Sequence, residues 1–133
     1  MKIVVLDADT LGFEKDAWAG LAALGELELH PATDHCPEAV IARATGAEVV
    51  LTNKVPLRSE VLSALNELKL VSVLATGYNV IDLEMAATRG VTVCNVPAYS
   101  SASTAQHAVS LILELCNHCG LHNQSVQAGD WIR

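Results

Sequence analysis

Long apolar runs, clustered basic residues and export signals are what this 133-residue sequence lacks. No apolar stretch approaches the roughly 18–20 residues that cross a bilayer, which excludes a membrane-spanning helix and leaves no membrane partner to expect. Only eight Lys and Arg stand against fifteen Asp and Glu, for a net charge of −7. With the basic residues scattered, binding to nucleic acid or to an anionic membrane surface is not expected. Met1-Lys2-Ile3-Val4-Val5-Leu6 meets Asp7 too early for the apolar core of a signal peptide, and no cleavage-site pattern follows. The chain is therefore read as cytoplasmic, and its four cysteines as free thiols rather than two disulfides. There is no internal repeat, no low-complexity segment, no GxGxxG, no P-loop, and no evident Ser-His-Asp or Cys-His constellation.

What is present is a chain of single-domain length whose residues are 51% apolar, enough for a core. Short β-branched or apolar runs predict strands at Lys2–Leu6, Glu26–His30, Glu48–Leu51, Leu70–Leu74 and Val91–Cys94. The second alternates acid and Leu, as an edge strand does. Helices are predicted between them: Asp16–Leu24 ending at Gly25, Pro37–Thr45 with Pro in its first turn and Gly46 beyond its end, Ser59–Leu68 capped by Ser59, and a helix capped by Asp82 that runs through Arg89 to Gly90. Strict alternation of this kind predicts an α/β fold with a parallel sheet covered on both faces. The expected arrangement is flavodoxin-like, strand order 2-1-3-4-5.

After Cys94 the rhythm changes. A loop over 95–101 contains Pro97, and one long helix is predicted over 102–124, with Ser103 and Gln106 as a capping box. Val109, Ile112, Leu113 and Cys116 make an apolar stripe that no later element can cover. It is expected to meet a second copy or further chain, and the ragged end at Gly129-Asp130-Trp131 reads as a cut.

In open parallel sheets, ligands bind beyond the carboxyl ends of the strands. Asp7 and Asp9 stand there after the first strand, Thr52-Asn53-Lys54 after the third, Ala75–Asn79 after the fourth, and Asn95, Pro97 and Tyr99 after the fifth. The fourth loop is the most informative. Gly77 is expected to take backbone angles that turn successive N–H groups toward one point, an anion-binding concavity, and Lys54 could add charge. A plain glycine turn is the alternative. A phosphate-receiver reading fails, because Asn53 or Lys54 stands where the acceptor Asp is needed and Asn95 where a Lys is needed. A flavin-phosphate loop is not supplied by Thr10–Lys15. Cys116-Asn117-His118-Cys119 with His122 nearby is a single CxxC with no second pair at metal-ligand spacing, so no metal site is assigned. Cys116, on the apolar stripe, is expected to be buried, and His107 is read as an interface residue rather than a base.

Taken together, Thr52-Asn53-Lys54-Val55-Pro56-Leu57, Ala75-Thr76-Gly77-Tyr78-Asn79-Val80-Ile81-Asp82-Leu83, Gly90–Tyr99 and Thr104-Ala105-Gln106-His107 resemble the D-isomer-specific 2-hydroxyacid dehydrogenases. The tail Gly129-Asp130-Trp131 also fits, and the wording around Lys54 and Gly77 is most similar to glycerate dehydrogenases, also called hydroxypyruvate reductases. The resemblance implies a two-domain oxidoreductase that moves a hydride between NAD or NADP and a 2-keto or 2-hydroxy acid. Residues 1–99 would be the substrate-binding domain. Residues 100–133 would be the crossover and the start of a Rossmann domain, with the long helix in a homodimer interface. It implies substrate contacts at Lys54, Thr76, Gly77 and Tyr78, and Thr104 near the nicotinamide. The family's catalytic Arg, acidic residue and His have no counterpart before Arg133, so no catalytic residue is assigned and the piece alone is expected to be inactive. Gln106 replaces a commoner Glu and Thr104 a commoner Val. A non-enzymatic sensor or corepressor domain of the same fold is the competing reading.

Overall fold

The computed structural model describes residues 1–12 and 14–130, Lys15 by its backbone alone. The chain divides into two units, residues 1–97 and 98–133.

The first unit is the expected α/β alternation. Its strands are β1 (Lys2–Val5), β2 (Glu26–Leu29), β3 (Val49–Thr52), β4 (Leu70–Val73) and β5 (Thr92–Cys94). All pair in parallel, in the order β2-β1-β3-β4-β5. The helices are α1 (Ala19–Ala22), α2 (Pro37–Ala44), α3 (Ser59–Ala64) and α4 (Leu83–Thr88). Because side chains alternate along a strand, β1 sends Val4 to one face and Ile3 and Val5 to the other. Val4 and Leu6 join Val40, Val50, Val61, Leu62, Val71 and Ala86 in a core beneath α2, α3 and α4. Ile3 and Val5 join Trp18 and Leu51 on the face that α1 covers. That second face is less filled: a cavity of about 240 Å³ lies among Ile3, Leu21, Leu24, Leu51, Leu70 and Cys94.

Local corrections have physical causes. The predicted helix over 16–24 is a 3-10 turn, Lys15–Trp18, followed by the single turn α1. Gly25 is not its cap. A Cβ there would stand 2.1 Å from the carbonyl oxygen of Met1, so glycine is required where the chain passes under the start of β1. Ser59 is the first residue of α3 rather than its cap; Arg58 holds that position in extended conformation, with no side-chain capping bond. Asp82 does cap α4, accepting the Met85 N–H at 3.0 Å, and Pro37 opens α2 as expected.

In the second unit the single long helix is two: α5 (Ser101–Asn117) and α6 (Cys119–Gln127). His118 breaks them apart in the left-handed region, φ 50° and ψ 43°. The Glu114 carboxylate then accepts the Gly120 N–H at 3.0 Å, capping the new helix. Ser103 lies inside α5, which starts after Ser100 with no side-chain cap, so the capping box does not form. Cys116 is exposed, not buried, and so are Val109, Ile112 and Leu113. Of the tail motif, Trp131 lies outside the described residues. No described helix is long and apolar enough to cross a membrane.

Candidate active-site loops

The carboxyl ends of β3 and β4 are neighbours by register, Thr52 opposite Val73, and Leu74 N–H donates to Thr52 O at 2.8 Å. The turn after β3, with Asn53 and Lys54, therefore runs beside the loop after β4, with Thr76, Gly77 and Tyr78. Four of the five residues expected at the site stand on these two adjacent loops. The fifth, Thr104, lies exposed in the first turns of α5, in the second unit.

The turn after β3 is held from below by Asp7. This carboxylate is 3% exposed and accepts three consecutive backbone N–H groups: Asn53 at 2.9 Å, Lys54 at 2.6 Å and Val55 at 3.3 Å. Successive amides converging on a carboxylate satisfy a buried charge that would otherwise be costly. Thr52, fully buried, closes the same turn, its hydroxyl accepting Val55 N–H at 3.1 Å. The result is a rigid turn that leaves Lys54 exposed, its ammonium in no ion pair among the described residues.

The loop after β4 is tied on both sides. Toward β3, Leu57 N–H donates to Val80 O and Asp82 N–H to Leu57 O, both at 3.0 Å, and Arg58 donates to Asn79 O at 2.9 Å. Toward β5, Val96 N–H donates to Ala75 O at 3.1 Å, the Thr76 hydroxyl donates to Val96 O at 3.0 Å, and Asn95 Nδ2 donates to Thr76 O at 2.8 Å. Between these ties, the N–H groups of Thr76, Gly77, Tyr78 and Asn79 donate to no acceptor among the described residues. Such a row of backbone donors at the mouth of a parallel sheet is chemically suited to a small carboxylate.

Gly77 does not serve as expected. It is absent from the positive-φ glycines, which are Gly12, Gly46, Gly90 and Gly129, and an added Cβ would meet only Asn79 Oδ1, at 3.4 Å. Glycine here leaves the backbone without a covering side chain and does not bend the chain through a positive φ. Beside the loop lies a cavity of about 180 Å³ lined by Tyr78, Leu83, Val93, Cys94 and Asn95. Asp7 and Asn95 were visible in the sequence only as polar residues after strands. Their partners, 46 and 19 residues away, are set by the strand order.

Known proteins share this sequence pattern and fold. The catalytic-domain model of the D-isomer specific 2-hydroxyacid dehydrogenases matches residues 3–128. The chain belongs to that family. A hydroxypyruvate reductase of Blautia hydrogenotrophica is 46% identical over 132 residues, covering 98% of this chain and 41% of the reductase. A glycerate dehydrogenase of Methylorubrum extorquens is 39% identical over 71% of this chain and 30% of its own length. The chain thus spans less than half the length of these dehydrogenases. Among solved structures, an acyclic imino acid reductase in complex with NADPH and D-Arg superposes with a TM-score of 0.82 over 97% of this chain and 41% of that one, at 19% identity, a likeness of fold alone. Among the described residues, no group of three or more His, Cys, Asp or Glu is placed to hold a metal.

Proposed function

We propose that this chain is the substrate-binding portion of an oxidoreductase that interconverts a 2-keto acid and its 2-hydroxy acid, hydroxypyruvate and D-glycerate being the pair. One observation carries the reading: the unengaged amides of Thr76–Asn79 stand beside the exposed Lys54 in a chain 46% identical to a hydroxypyruvate reductase. The amides of Thr76, Gly77 and Tyr78 hold the substrate carboxylate and Lys54 adds charge at its edge. Charge-assisted hydrogen bonds of this kind are about twice as strong as neutral ones. Residues 1–99 form the substrate domain, and residues 100–133 the crossover and the first helices of the coenzyme domain, where Thr104 meets the nicotinamide.

A nicotinamide coenzyme, NAD or NADP, would supply or accept the hydride. None of the eight glycines in this sequence falls in a GxGxxG spacing, so the residues here do not make a pyrophosphate cradle, and no catalytic step is assigned to them. Their part is to bind and orient the acid. The test is a titration of the chain with hydroxypyruvate, followed by amide nuclear magnetic resonance shifts. Saturable shifts confined to Lys54 and Thr76–Asn79 are expected; shifts elsewhere, or none, would sink the reading.

A further inference from the structure

We propose that Asn95 is a positioning residue that aims the anion-binding amides of the Thr76–Gly77 segment. The inference rests on the carboxylate reading above and deepens it. Two successive carbonyls of this segment are engaged from the β5 side: Ala75 O by Val96 N–H at 3.1 Å and Thr76 O by Asn95 Nδ2 at 2.8 Å. A trans peptide group points its C=O and N–H in opposite directions, and no peptide here is cis. With both carbonyls drawn toward β5, the N–H groups of Thr76 and Gly77 both face the other way, toward the β3 side where Lys54 stands.

Within a regular strand this would not happen. Successive carbonyls of a strand point to alternate sides, one toward each neighbouring strand. Leu74 N–H keeps that rule, bonding Thr52 O of β3 at 2.8 Å. The first departure is at Thr76, whose carbonyl turns the same way as that of Ala75. The Asn95 amide is what holds it there, and the Thr76 hydroxyl, bonded to Val96 O at 3.0 Å, steadies the residue from the same side. A hydrogen bond on the carbonyl also polarises the peptide group and strengthens its N–H as a donor. Asn95 need not touch the ligand to set both the aim and the strength of the Gly77 donor.

The experiment uses the 133-residue chain with hydroxypyruvate as the probe, in Asn95→Ala and Asn95→Asp variants. Asn95→Ala removes the donor without adding charge; Asn95→Asp keeps the shape and replaces the donor by an acceptor at neutral pH. Both are expected to bind hydroxypyruvate about tenfold more weakly than the parent chain, the size of one misaimed hydrogen bond to a charged group. The Gly77 nitrogen should shift in the ligand-free spectrum, because the carbonyl before it has lost its partner. Affinity of Asn95→Asp should recover as pH falls toward the carboxyl range near about 4, where the protonated carboxyl again donates to Thr76 O; the parent chain should stay flat over that range. Wild-type affinity in Asn95→Ala, with an unmoved Gly77 nitrogen, would overturn the role of Asn95 while leaving the carboxylate site standing. No saturable shift at Thr76 and Gly77 in the parent chain would remove both.

Discussion

Three amide N–H groups converge on one carboxylate that is 3% exposed, and Asp7→Ala would strand all three. Each is a hydrogen bond to a charge, and buried donors without acceptors cost about 1–3 kcal/mol apiece, only partly recovered by water. The variant should lose about 2–4 kcal/mol of stability in urea denaturation, and the amide signals of Asn53–Val55 should move most. A loss below about 0.5 kcal/mol, the range of ordinary surface changes, would show that the turn after β3 does not depend on this carboxylate. An acid directly after a strand was legible as a site candidate. Its use as an internal anion was not, because the donors lie 46–48 residues downstream. Gly77 shows the reverse limit: glycine in a loop suggested a left-handed turn, whereas its φ is not positive and an added Cβ would meet only Asn79 Oδ1 at 3.4 Å.

At the scale of elements, alternation of short apolar runs with helical stretches made the strand order legible, since parallel pairing and right-handed crossovers leave few topologies. Boundaries were less so. The long helix after the fifth strand is interrupted because His118 adopts positive φ, a backbone choice that an apolar stripe does not report. The capping role of Asp82 was legible from its position before Leu83, and it supports a clear outcome. Asp82→Ala should cost about 1 kcal/mol and lower the thermal midpoint by several degrees; Asp82→Asn should cost much less, which calorimetry of the two variants would resolve. Two ion pairs along the sheet carry a pH effect. The Lys2 ammonium, 3.1 Å from Glu28, and the Lys69 ammonium, 2.6 Å from Glu48, hold these carboxyls below the ordinary value of 4.5. A carboxyl depressed in the folded state stabilises fully above its unfolded value and loses that contribution as pH falls through its folded value. The thermal midpoint should therefore decline as pH drops below about 4.5, and less steeply in a Glu28→Gln, Glu48→Gln double variant. Both pairs are solvent-exposed, so the difference should be small and should shrink further in salt.

For the molecule as a whole, the decisive fact is proportion: this chain spans 41% of the hydroxypyruvate reductase it matches over nearly its full length. The second unit has an apolar surface of its own. Val109, Leu111, Ile112, Leu113 and Leu115 of α5 are each more than half exposed, and a contiguous apolar face of this kind seeks a cover. The isolated chain should self-associate at micromolar concentration, and Ile112→Glu with Leu115→Glu should return it to a monomer; a monomeric mass for the parent chain by light scattering would refute this. Association should not confer catalysis. Two copies of the chain would supply two of the proposed carboxylate-binding loops but still no pyrophosphate turn, and neither Lys54 nor the loop amides can both deliver a hydride and protonate the keto oxygen. The chain mixed with NADH and hydroxypyruvate should therefore show no oxidation of NADH at 340 nm above the enzyme-free rate, while hydroxypyruvate still perturbs the Thr76–Asn79 amides. Turnover by the pure chain would mean that the hydride-transfer machinery lies within residues 1–133, and that binding and chemistry in this protein are not divided between two domains.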